Sequence, residues 1–151
     1  MKLFLCGGGC GKQIFNAYQK FKKVIDKSKP ILYIPLAMEE EMYNSCYEWF
    51  SNEILNFGLT EFEMVKSSLE LSKKDFTKYS ALFIGGGNTY KLLEDLYDNS
   101  NYNKIIDYLK NDGIIFGGTA WRSRLYTVYD SYFLYKEGIW LEKQNLMIQN
   151  K

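Results

Sequence analysis

Short, wholly apolar runs that alternate with stretches of helical spacing restrict this chain's fold more than any other feature of it. Ile31-Leu32-Tyr33-Ile34-Pro35-Leu36-Ala37, Ala81-Leu82-Phe83-Ile84 and Ile114-Ile115-Phe116 carry no polar residue facing water on either side. Such runs are strands covered on both faces, as in a parallel sheet. Met1 to Leu5 reads as a first strand ending at Cys6-Gly7-Gly8-Gly9, and Phe62-Glu63-Met64-Val65 as another. Between them lie helical patterns. Ile14, Phe15, Tyr18, Phe21 and Ile25 mark one face of a helix from Lys12 to about Lys27, stopped by Pro30. Met42, Cys46, Trp49, Phe50, Ile54 and Phe57 mark a second, entered through Glu39, Glu40 and Glu41 and closed at Gly58. Leu92, Leu93 and Leu96 mark a third, and Tyr102 to Leu109 a fourth that ends at Asn111-Asp112-Gly113. The expected fold is α/β, a three-layer sandwich around a mostly parallel central sheet.

The regularity stops after Ala120. Residues 121–151 are rich in Tyr, Arg and Lys and hold no clean period. They suggest a partial helix over Arg122 to Tyr129 and an extended segment over Gly138 to Met147. There is no internal repeat or linker, so 1–151 reads as a single domain.

Composition bounds the chemistry. With 46% hydrophobic residues in a chain of 151, a core can form without disulfides. The formal net charge is +1 and the lysines are scattered among acids, which argues against nucleic acid or an anionic membrane as partner. No stretch is long enough to span a bilayer, and Leu3 to Leu5 is too short for a signal-peptide core. Three cysteines, Cys6, Cys10 and Cys46, fit a reducing cytoplasm better than a disulfide framework. They do not make a metal site: Cys46 is remote, and the chain has no histidine. That absence also removes the commonest general base.

Three glycine-rich turns stand out. Gly7-Gly8-Gly9-Cys10-Gly11-Lys12 suggests a nucleotide loop but fails in detail. A P-loop needs glycine where Cys6 stands and Ser or Thr where Gln13 stands; the dinucleotide fingerprint needs glycine at Lys12. A plain strand-to-helix turn explains it better. Gly85-Gly86-Gly87-Asn88-Thr89, after a buried strand, can bring backbone N–H groups close to a ligand, or can be an ordinary turn capped by Asn88 or Thr89. Gly117-Gly118-Thr119-Ala120 has the small residues that a nucleophile elbow requires, and also those of a simple glycine turn. If their strands are near neighbours in one parallel sheet, the last two turns meet at one crevice.

The order Met1-Lys2-Leu3-Phe4-Leu5, Tyr33-Ile34-Pro35-Leu36-Ala37, Phe83-Ile84-Gly85-Gly86-Gly87-Asn88-Thr89-Tyr90-Lys91-Leu92-Leu93 and Gly113-Ile114-Ile115-Phe116-Gly117-Gly118 resembles the peptidase E family. That family holds aspartyl dipeptidases on a class I glutamine amidotransferase-like fold, and the likeness covers about residues 1–120. The resemblance implies acyl transfer by a serine at an elbow Gly-x-Ser-Ala-Gly-Ala, with a downstream histidine as base. A glycine loop and the amide after the nucleophile form the oxyanion hole. Carried over, Gly86, Gly87, Asn88 and Ala120 take the oxyanion and substrate-binding places, and Thr119 takes the serine's. The resemblance implies a small peptide or acidic small molecule as ligand, and no cofactor.

The departures are severe. Thr119 is β-branched in a strained turn, Trp121 replaces the elbow's second glycine, Arg122 replaces its alanine, and no histidine follows. The expectation is a family member that is truncated or altered after residue 120 and inactive as it stands. A shifted reading frame near Thr119 would account for the abrupt change: Trp codon TGG followed by Arg codon CGC reads Gly-Ala one nucleotide later. The alternatives are a non-catalytic domain that still binds a small ligand in the crevice, or a nucleotide-binding module.

Overall fold

The computed structural model describes residues 2–5 and 14–117. Five strands form one sheet: β1 (Lys2–Leu5), β2 (Ile31–Ile34), β3 (Phe62–Met64), β4 (Ala81–Ile84) and β5 (Ile114–Gly117). Their order is β1-β5-β4-β2-β3, and every neighbouring pair is parallel. β4 therefore lies at the centre, with β5 on one side and β2 on the other. Two strands of it, β2 and β4, are buried at every residue, as their unbroken apolar sequence requires.

Helices cover both faces. α1 (Phe15–Val24) and α2 (Tyr43–Glu53) lie on one, where Tyr18, Phe21, Cys46 and Phe50 pack with Phe4, Ile31, Tyr33, Phe83 and Phe116 of the sheet. α3 (Ser68–Lys73), α4 (Thr89–Tyr97) and α5 (Asn101–Lys110) lie on the other, where Leu71, Leu92, Leu96, Ile105 and Leu109 pack with Leu32, Ile34, Leu82, Ile84 and Ile115. Alternate residues of each strand point to opposite sides, and this sorts the two cores by shape. The α1/α2 side is aromatic: Phe83 and Phe116 stack at 4.8 Å and 8°, and Tyr33 stacks on Phe50 at 4.2 Å. The other side is mostly aliphatic. The expected α/β architecture with a parallel central sheet is thus present.

Several boundaries and faces differ from expectation. Strand β2 ends at Ile34, because Pro35 has no N–H for the ladder and its carbonyl instead closes a turn to Met38 N at 2.8 Å. Helix α1 ends at Val24 rather than near Lys27, and Phe15 is 56% exposed rather than on the core face. Met42 is also exposed; it sits in the short 3-10 turn Glu40–Met42 that leads into α2. Gly58 does close the second helical segment, in the left-handed conformation at φ 73°. α3 was not expected at all. Ser67 caps it by accepting from Glu70 N at 3.1 Å, while Glu70 reaches back to Lys66 N at 2.8 Å. The expected helix over 122–129 and extended segment over 138–147 lie outside the described residues.

Candidate active site

The chain leaves β2 toward α2 and leaves β4 toward α4, so these adjacent strands send their connections to opposite faces. A gap at the carboxyl ends of such a pair is where open α/β sheets usually bind ligands. Here that gap is closed by the protein itself. Gly85 N donates to Ile34 O at 2.9 Å, and Asn88 N donates to Ala37 O at 2.8 Å. Gly87 presses against the same loop at φ 139°. A Cβ there would overlap the Ala37 carbonyl oxygen and lie 2.9 Å from Met38 Sδ. The glycine at 87 is therefore demanded by packing and backbone shape alone. At Gly85 a Cβ would meet only ordinary contacts, 3.4 Å from Tyr33 Oη and 3.5 Å from Pro35 Cα.

The β2 side being closed by these bonds, the other flank of the glycine loop is the one toward β5. The register pairs Ile84 with Gly117, so β4 and β5 end level with each other. The expectation that these two strands are neighbours in one parallel sheet holds. Gly86 is half-buried and Gly87 and Asn88 are exposed. Among the described residues, no hydrogen bond engages the Gly86 or Gly87 amide. Thr119 and Ala120, the expected nucleophile and its neighbour, lie outside the described residues, as does the first glycine turn at 7–11.

Asn88 has a local duty in addition to any contact with a ligand. Its Oδ1 accepts from Tyr90 N at 3.0 Å and Lys91 N at 3.4 Å, capping α4. This commits the carbonyl oxygen of the side chain and leaves its NH2 group as the part that can meet a ligand.

Two further residues shape the loop without having been singled out in the sequence. Ala37 supplies the carbonyl against which the glycine turn rests, although it reads as the end of a strand. Lys91, one turn into α4, points its Nζ at Leu36 O (3.4 Å) and at Asp95 Oδ2 (3.3 Å). Burial works against its charge, but the bond to Asp95 and the nearby carboxylates Asp95 and Glu39 hold its pKa above the ordinary lysine value. Its signal was the four-residue spacing of Lys91 and Asp95.

The remaining titratable groups near the strand ends are not reactive. Cys46 is buried beside Tyr33, and burial pushes its thiol above the ordinary value, so it stays protonated. Burial likewise raises Tyr33. Among the described residues, no group of three or more His, Cys, Asp or Glu side chains could hold a metal ion, and no helix is long and apolar enough to cross a membrane.

Solved structures share this fold. A putative peptidase E protein from Listeria monocytogenes EGD-e superposes with a TM-score of 0.63 at 24% identity, over 80% of this chain and 59% of that one. A peptidase from an acI-B1 Actinobacterium superposes with a TM-score of 0.59 at 20% identity, over 78% of this chain and 53% of that one. At these identities the likeness is one of fold, and the chain spans less than two thirds of either relative. Sequence likeness is more specific: residues 3–120, which take in most of β1, the other four strands and the glycine loop, match peptidase family S51, and the chain belongs to that family.

Proposed function

We propose that this chain is a serine-type dipeptidase relative that takes small Asp-containing peptides into the crevice between the β4 and β5 loops but does not hydrolyse them. The observation that carries this reading is the glycine loop, bonded to the turn after β2, with the Gly86 and Gly87 amides unengaged among the described residues and β4 ending level with β5. Free backbone amides at such a point suit a carbonyl oxygen that gains negative charge during acyl transfer. In the full reaction a hydroxyl oxygen attacks the peptide carbonyl, its proton passes to a base, and the amine leaves with a proton returned to it; water, deprotonated by the same base, then attacks the acyl ester, whose C–O bond breaks to release the acid and restore the hydroxyl. Thr119 stands where that hydroxyl is expected, but the chain contains no histidine to take the proton. Binding survives this loss and turnover does not. The free Cys46 suits the reducing cytoplasm in which such a protein would work.

The test is a paired measurement. Asp-X dipeptides are expected to bind in a calorimetric or NMR titration, with ADP and NAD showing no binding, while hydrolysis stays at the uncatalysed rate. Thr119→Ser is expected to leave hydrolysis there, since triad members act as a unit. Turnover that disappears in Thr119→Ala would overturn the inactive reading. Binding of ADP or NAD without binding of dipeptides would overturn the ligand class.

A further inference from the structure

We propose that Lys91 is a positioning residue for the glycine loop, strapping the loop after β2 to α4 so that the Gly86–Gly87 segment keeps its outward-facing shape. The glycine loop is held at its two ends, by Gly85 N on Ile34 O and by Asn88 N on Ala37 O, while its middle is pressed on Ala37. Ala37 is itself in a turn and not in the sheet. Its place depends on what fixes residues 35–38. One restraint is internal, the Met38 N to Pro35 O bond of 2.8 Å. Its restraints to the rest of the molecule are the packing of Leu36 and Ala37 in the aliphatic core, the Asn88 N bond, and Lys91, whose ammonium reaches Leu36 O, the residue immediately before Ala37.

The side chain is well placed to act as a strap. Asp95, one turn further along α4, holds the ammonium at 3.3 Å from the opposite side, so the long lysine stem is fixed at both ends of its reach. The Lys91 and Asp95 side chains are 26% and 28% exposed, which limits the screening of the pair by water. Asn88 anchors the same two elements, since its amide bonds Ala37 and its Oδ1 caps α4 through the Lys91 amide. Lys91 and Asn88 thus hold one turn at two adjacent carbonyls, and removing the ammonium loosens the Leu36 carbonyl while its side chain stays packed in the core. The amide most exposed to this loosening is that of Asn88.

The role assigned to the loop rests on the proposed function, but the strap is measurable in the ligand-free protein. Amide hydrogen exchange is followed by NMR in wild type, Lys91→Met, Lys91→Arg and Asp95→Asn. Lys91→Met keeps the stem and removes the charge. It is expected to speed exchange at Asn88 by about tenfold or more and to shift the Gly86 and Gly87 amide resonances, with Leu82 and Ile115 unchanged. Lys91→Arg, which restores a donor to Leu36 O, is expected to restore protection, and Asp95→Asn to retain most of it. Unchanged exchange at Asn88 in Lys91→Met, or equal acceleration at Leu82 and Ile115, overturns the proposal. If Lys91→Met does not fold, loss of Asn88 protection in both Lys91→Arg and Asp95→Asn does the same. A dipeptide that fails to bind leaves these outcomes untouched.

Discussion

At Gly87 the backbone takes φ 139°, a region that L side chains rarely adopt, and it does so against a neighbouring carbonyl. The two penalties act together. Backbone strain of this kind costs about 1–3 kcal/mol, and the overlap with Ala37 must be relieved by moving the turn that the loop rests on. Gly87→Ala is therefore expected to lower stability in urea by at least about 2 kcal/mol, and Gly85→Ala, where contacts are ordinary, by about 1 kcal/mol or less. Equal costs at the two positions would show that the loop is not seated as described. The sequence alone leaves open whether three consecutive glycines serve ligand approach or turn geometry. Position 87 answers for turn geometry, because its neighbour Ala37 is 50 residues away in the chain and no local pattern announces the contact.

Elements were readable to the extent that their burial was complete. β2 and β4 are apolar at every position because both faces are covered, and their existence follows from sequence with little ambiguity. α3 is the opposite case: six residues with Leu71 as its one buried large apolar side chain, too short for a period to register. The signal it did carry was the Ser67-x-x-Glu70 capping pattern. Leu71 packs it on the sheet, and a polar group just beyond its end adds a second tie. Glu63 on β3 accepts from the Tyr79 hydroxyl and from Lys74 Nζ at 3.0 Å, joining β3, the end of α3 and the approach to β4. The Tyr79 bond first, then Lys74, hold the Glu63 carboxyl below its ordinary value of 4.5. A depressed carboxyl pKa stabilises the fold above the unfolded value, and that share is lost as pH falls through the folded value. The Lys74 ammonium is raised above 10.5, chiefly by the same Glu63 bond, so its share is present below that pH and is lost in strong alkali. Glu63→Gln is expected to flatten part of the acid limb of the stability–pH curve by lowering stability at neutral pH and leaving it unchanged at low pH, a small effect since Glu63 is half exposed. An acid limb identical to wild type would remove Glu63 from the account.

On the scale of the whole molecule, the sheet divides the interior into an aromatic core and an aliphatic one, and this division has energetic consequences. Phe83 and Phe116 sit on adjacent strands of the aromatic side, stacked at 4.8 Å, and both also contact Phe57. Leu109 belongs to the aliphatic core on the opposite face of the same sheet. Residues that share contacts couple, whereas residues separated by an intact layer do not. Stacked rings carry about 0.5–1.5 kcal/mol beyond the area they bury. Phe83→Leu and Phe116→Leu are chosen because leucine retains most of the buried volume, which keeps each single loss small against the roughly 5–15 kcal/mol of a typical domain. Together, the two are expected to depart from additivity by about 0.5–1.5 kcal/mol in urea unfolding, as the ring pair can be lost only once. Phe83→Leu combined with Leu109→Ala is expected to add within about 0.5 kcal/mol, because β4 and β5 stand between them. Strong coupling across the sheet, or none within the aromatic layer, would mean that the two cores are not the separate layers that the parallel topology creates.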